Sequence, residues 1–175
     1  MTDRKKIREK TGYTRQNQQD NADSWYTRSV SFHEASIILY EHKERLSGGI
    51  KLFQFNAALS LELIFKAILA AKKEKIKQTH VLRDLCTNAE VELDDDQKST
   101  LGLLTENFLW VGRYPAPTSE AQWDNFHNNI IEEHIERSQS GNTFSMNRNQ
   151  KRFPSMENYK RIWKICLAKY ESVIL

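Results

Sequence analysis

The stretch LELIFKAILAAKKEKIKQTHVLRDL, residues 61–85, decides the fold. The apolar run that it continues begins at Ala57 and ends at Ala71, so a helix is expected over about 51–75 with almost no polar face. Such a helix is either the buried central member of a bundle or is shared with a second subunit. Two charges interrupt it. Glu62 precedes Lys66 by four residues, the favourable order for an ion pair along a helix. Burying either charge unpaired is costly, so they are expected to pair with each other or with a neighbouring helix. Lys73 falls on the same strip of the helical wheel.

Upstream, Trp25, Phe32, Leu39 and Leu46 recur every seven residues and predict a first helix over about 24–46. SGG at 47–49 then supplies a left-handed cap and a tight reversal. Residues 1–23 are polar and basic, with Arg4, Lys5, Lys6, Arg8, Lys10 and Arg15 against Asp3, Glu9 and Asp20. With no apolar periodicity to bury, they read as a mobile tail, or as a basic arm for phosphate.

Downstream, Thr79 is placed to cap a short helix over about 79–89, and Asp94 to cap the next, with Asp95 and Asp96 favouring its positive end. Leu101, Leu104, Phe108 and Val111 form that helix's inner stripe until GRYPAP, 112–117, stops it. Another helix starts near Ser119, with Trp123, Phe126, Ile130 and His134 along one face. Residues 138–155 read as a polar loop. The last helix, from about Ser155, carries Tyr159, Ile162, Trp163, Cys166, Leu167, Tyr170, Val173 and Ile174 at helical spacing. No stretch alternates convincingly at period two. The class is all-α, an antiparallel bundle of about five to six helices.

At 175 residues, with 6 Gly and 3 Pro, the chain suits one helical domain over 24–175. The net charge of +3 is too small to demand a nucleic-acid partner by itself. Cys86 and Cys166 fit no metal pattern and read as reduced thiols of a cytoplasmic protein. No apolar run is expected to reach the roughly 18 residues of a membrane span. The N-terminus lacks the apolar core of a secretory signal. No metal or cofactor is expected, since His127 and His134 are seven residues apart, whereas a metal-binding helix usually places its ligands three or four apart.

The succession of a long helix, AALSLELIFKAILAA at 57–71, THVLRDL at 79–85 and a helix closing on RYP at 113–115 resembles the HEPN domain (higher eukaryotes and prokaryotes nucleotide-binding). The resemblance covers about residues 24–117. It rests on Glu62 and Lys66 one turn apart, on Thr79, His80, Leu82 and Leu85, and on Arg113, Tyr114 and Pro115. It implies an HEPN-like bundle, a homodimer, a nucleotide or RNA ligand, and a partner protein such as a nucleotidyltransferase. Family members that cleave RNA use an Arg, then four to six intervening residues, then a His, paired across a dimer. Here no such motif follows Arg113 or Arg148, and Arg28 with His33 fits the spacing only in the first helix. A further departure is the segment 118–154, a helix and loop inserted before the last helix.

The candidate residues each have two readings. Glu62 and Lys66 are a structural ion pair, or Lys66 meets a phosphate. His80 caps a short helix through Asp84, or transfers protons near neutral pH. Arg113 hydrogen-bonds the last carbonyls of its helix, or with Tyr114 grips a phosphate. Arg148, Lys151 and Arg152 begin a basic segment, completed by Lys160, Arg161 and Lys164, with Phe144, Phe153 and Tyr159 among them as base-stacking rings. It is either a solvated face or a phosphate site. The leading expectation is a catalytically degenerate module that binds a nucleotide or RNA phosphate. The alternatives are a metal-independent endoribonuclease of a toxin–antitoxin or defence system, with Arg28, His33, Arg113 and His80 as catalytic candidates, and a protein–protein adaptor.

Overall fold

The computed structural model describes residues 3–140 and 143–175, so the parts of the N-terminal stretch at 1–2 and of the 138–155 loop at 141–142 lie outside the described residues. Eight α-helices run in the order α1 (Asp3–Lys10), α2 (Arg15–Asp20), α3 (Ala22–Glu41), α4 (Gly49–Ala71), α5 (Leu82–Asn88), α6 (Asp95–Glu106), α7 (Glu120–Glu133) and α8 (Met156–Ile174) among the described residues. A 3-10 turn, Lys43–Arg45, precedes α4, and a π-helical turn, Asn107–Val111, extends α6. A two-stranded antiparallel hairpin, β1 (Ile135–Ser140) and β2 (Thr143–Arg148), separates α7 from α8. The all-α expectation holds, with this hairpin as its one sheet among the described residues.

Helix α4 is the axis of the bundle. Ala57, Ala58, Leu61, Ile64, Phe65, Ala67 and Ile68 are wholly buried, enclosed within the chain by α3, α8, α5 and the π-helical turn. Its missing polar face is thus explained without a second subunit. By length and composition α4 is apolar enough to cross a membrane, which corrects the expectation that no run reaches that length; most of it is buried inside the fold. The helix ends at Ala71 rather than near Lys75, and Lys73 has a positive φ of 57°. Lys73 therefore leaves the strip shared by Glu62 and Lys66.

Helix α8 buries Tyr159, Ile162, Trp163, Cys166 and Tyr170, the stripe read from its periodicity, whereas Ile174 is exposed. Caps fall largely where the side chains predict. Asp94 and Gln97 form a reciprocal capping box, and Ser119 and Ser155 accept backbone N–H groups at the starts of α7 and α8. Thr79 does not cap α5; Val81 holds the cap position, and Thr79 Oγ1 accepts from its N–H at 3.2 Å.

Four further expectations change. The first helix ends at Glu41, and SGG caps the next one instead: Gly48, at φ 72°, precedes α4, and a Cβ on Gly49 would meet the Lys43 carbonyl. Residues 3–10 and 15–20 are helical, and Trp25 Nε1 donates to the Gln19 carbonyl at 2.8 Å, tying α2 to α3. Much of the expected loop 138–155 is the hairpin. Its strand Thr143–Arg148 does alternate, with Phe144 and Met146 between polar residues, but both are exposed, so no core enforces the pattern. Finally, α7 buries none of its residues completely and Trp123 is 38% exposed, although His134, just past its end, is buried.

Candidate functional site

Glu62 is buried on α4, and both of its oxygens are engaged. Lys66 Nζ donates to Oε1 at 2.6 Å along the helix. His80 Nδ1 donates to Oε2 at 3.0 Å from the segment before α5. A carboxylate only accepts, so this bond leaves the proton of His80 on Nδ1 and frees Nε2. Lys66 is buried too, and its ammonium lies 5.7 Å from the Trp25 ring centroid. Its charge is spent inside the fold, and His80 pairs with Glu62 rather than Asp84.

On α4, Phe55 stacks on Phe108 of the π-helical turn at 5.4 Å between centroids. The His80 imidazole lies 5.3 Å from the same Phe108 ring. Arg113 brings its guanidinium to 5.5 Å from Phe108, 5.9 Å from Phe55 and 5.3 Å from Tyr114. One guanidinium nitrogen donates to the Leu109 carbonyl at 2.6 Å. The remaining N–H groups face no carboxylate among the described residues, and Arg113, Tyr114 and His80 are all exposed. The surface thus offers a free imidazole nitrogen, a planar cation and aromatic rings around one phenylalanine.

The π-helical turn makes this arrangement possible. Its wider coil ends where Gly112 N–H donates to the Asn107 carbonyl at 2.9 Å, and Phe108 and Arg113 both lie against Phe55 of α4. A Cβ on Gly112 would sit 2.8 Å from that carbonyl oxygen and 3.2 Å from Phe55, so glycine is required for the close approach.

The other candidates lie elsewhere. Arg28 is exposed on α3 and donates to the Ser24 carbonyl of its own helix. His33 faces α8, stacked on Trp163 at 4.2 Å, with Nδ1 2.7 Å from the Tyr159 hydroxyl. Arg28 and His33 therefore point to different surroundings. Burial lowers the His33 pKa below its ordinary value, with Lys160 adding to the effect. Tyr159 is wholly buried and also meets Ser60 Oγ at 2.7 Å, so it is a core hydrogen-bonding residue rather than a stacking ring.

Of the basic segment, Arg152 is held by Asp96 at 2.7 Å, Lys151 is exposed, and Arg148 lies 4.6 Å from the Phe153 ring centroid. Arg161 pairs with Glu157 along α8. His134 is buried, and its ring nitrogens make no hydrogen bond of good geometry among the described residues; burial holds its pKa below the ordinary value. No group of three His, Cys, Asp or Glu side chains among the described residues has the geometry to hold a metal. The sequence hid Phe55 and the bracketing role of Phe108, because a helical stripe signals burial and says nothing of which polar groups border it.

No curated protein and no solved structure matches the chain significantly. The family model for the HEPN domain matches residues 22–139, which contain Glu62, Lys66, His80, Phe108 and Arg113. With the helical fold and more than half of its length matched, the chain belongs to the HEPN domain family.

Proposed function

We propose that this HEPN domain binds a nucleotide or RNA phosphate on the surface made by His80, Phe108, Arg113 and Tyr114, and that it acts as a cytoplasmic homodimer, alone or with a partner protein such as a nucleotidyltransferase. The observation that carries the reading is the convergence of His80 and Arg113 on the one ring of Phe108. Arg113 is held in place by the Leu109 carbonyl and three rings, yet keeps donors free for a phosphate oxygen. Phe55, Phe108 and Tyr114 provide apolar and stacking area beside it, as a base would need. Lys66, neutralised by Glu62, serves the site only by holding Glu62.

A second reading, cleavage of RNA in a toxin–antitoxin or defence setting, is favoured by one observation. Glu62 orients His80 so that Nε2 is free for proton transfer. In that chemistry the Nε2 of His80 takes the proton of a ribose 2′-hydroxyl as its oxygen attacks the phosphorus. The P–O5′ bond breaks, and the leaving 5′-oxygen takes a proton from water, giving a 2′,3′-cyclic phosphate and a 5′-hydroxyl. Arg113 stabilises the charge that develops on the phosphate oxygens.

Both readings are tested by titrating labelled single-stranded RNA with wild type and Arg113→Ala, and by incubating the RNA with each in EDTA. Binding that weakens at least about tenfold in the variant, with the salt slope reduced by about 1, supports the site. Unchanged affinity removes it. Cleavage lost in His80→Ala, with binding retained, selects the second reading.

A further inference from the structure

A cavity of 520 Å³ opens between the turn before α4, α7 and the base of the hairpin. Lys43, Lys51 and Arg148 reach it from three separate segments. Its one acidic lining residue, Glu44, is 87% exposed at the side chain and 3.8 Å from Lys43, so solvent screens it. Arg148 is engaged by no carboxylate among the described residues; its guanidinium lies against Phe153, which holds it at the wall. Ile50, Leu103, Phe126 and Ile130 supply apolar lining.

Two buried amides complete the wall. Gln54 and Asn107 are 5% and 4% exposed. Gln54 Nε2 donates to the Pro154 carbonyl at 3.1 Å, and Asn107 Nδ2 donates to the Leu103 carbonyl at 3.0 Å. Both amide oxygens are left without a donor among the described residues.

We propose that this cavity is a second ligand site, separate from the His80–Arg113 surface, and that it takes one nucleotide unit carrying an amino-bearing base. Three cations against one screened acid match a phosphate better than a single carboxylate charge. The volume lies in the range of small-molecule sites and exceeds what a bare phosphate fills. The apolar lining suits a flat ring, and the free amide oxygens accept hydrogen bonds from an exocyclic amino group. Arg148 and Phe153 lie beyond residue 139, where the family match ends, so part of this site belongs to the chain's own extension. The shared chemistry, a phosphate joined to a base, is offered both by a free nucleotide and by a residue of an RNA strand.

Isothermal titration of the full chain with adenosine monophosphate, uridine monophosphate, inorganic phosphate and a short oligoadenylate tests this. Wild type is compared with Arg113→Ala, and with Arg113→Ala carrying Arg148→Ala or Lys51→Ala, each checked for native circular dichroism. The expected result is binding of the adenine ligands over the uridine and phosphate probes by about tenfold. In the Arg113→Ala background, where binding at the other surface is weakened, adding Arg148→Ala or Lys51→Ala weakens the remaining binding about tenfold. Binding of the monophosphate identifies a free nucleotide; binding of the oligoadenylate alone identifies a strand. Binding that ignores Arg148 and Lys51, inorganic phosphate binding as well as the nucleotides, or no binding of any probe overturns the proposal. Loss of binding in Arg113→Ala alone would assign the ligand to the other surface and overturn it as well.

Discussion

His80 reaches back eighteen residues to place Nδ1 3.0 Å from Glu62 Oε2, so an exposed imidazole is oriented by a carboxylate buried in the bundle axis. The other oxygen of Glu62 holds Lys66, and the three groups form one chain from core to surface.

Removing one member of the buried pair leaves the other charge without its partner. Glu62→Gln is expected to lower stability by about 3–5 kcal/mol. The double variant Glu62→Leu, Lys66→Met is expected to cost less than that single change, because it removes both charges together. Urea denaturation of the two variants checks the order; equal losses would mean that the pair is not what holds these charges.

Tyr159 links α3, α4 and α8 through His33 Nδ1 and Ser60 Oγ, each 2.7 Å from its hydroxyl. Tyr159→Phe keeps the ring and leaves both partners short of a hydrogen bond. A loss of about 1–3 kcal/mol is expected. Chemical denaturation measures it, and a stability equal to wild type would show that the hydroxyl contributes nothing net.

Gly112→Ala drives a Cβ against the Asn107 carbonyl and Phe55. The π-helical turn must shift, and Arg113 with it. The expected outcome is a loss of RNA affinity close to that of Arg113→Ala in a protein that still folds, read by fluorescence polarisation beside circular dichroism. Native affinity in the variant would separate the turn from the site.

Burial lowers the pKa of both His33 and His134 from 6.5. As pH falls through 6.5, the unfolded chain therefore takes up protons before the folded one. In that window the unfolded state binds more protons, so stability falls with falling pH. Thermal unfolding at pH 7.5 and at pH 5 should show the lower midpoint at pH 5. In His33→Gln, His134→Gln the difference should shrink, whatever the variant's own stability.

Both thiols are buried and free, and burial pushes Cys86 up to about 11 and Cys166 well above its ordinary value. The thiolate is the reactive form. Neither is expected to react with a thiol reagent at pH 8 until the chain is unfolded. Rapid labelling of the native protein would contradict the buried placement of α5 and α8.

Local signals in the sequence carry far. The all-round apolar run marks α4 as the axis, the periodic stripe marks α8, and Asp94, Ser119 and Ser155 mark helix starts. These are interactions over one or two helical turns, and the chain encodes them directly. The hairpin is harder to read because neither Phe144 nor Met146 is drawn to a core. The short helices within 1–23 are hidden for the same reason: α1 buries nothing.

By itself, then, the sequence determined the helical class, the central helix, the reading of Glu62 with Lys66 as an ion pair, and the family pattern ending in RYP. Only the tertiary structure decided that Glu62 also holds His80, that His80 and Arg113 share Phe108, and that Arg148 joins Lys43 and Lys51 at one cavity. The physical reason is range. Helix periods and caps depend on neighbours a few residues away, whereas a site depends on side chains brought together by packing from distant segments.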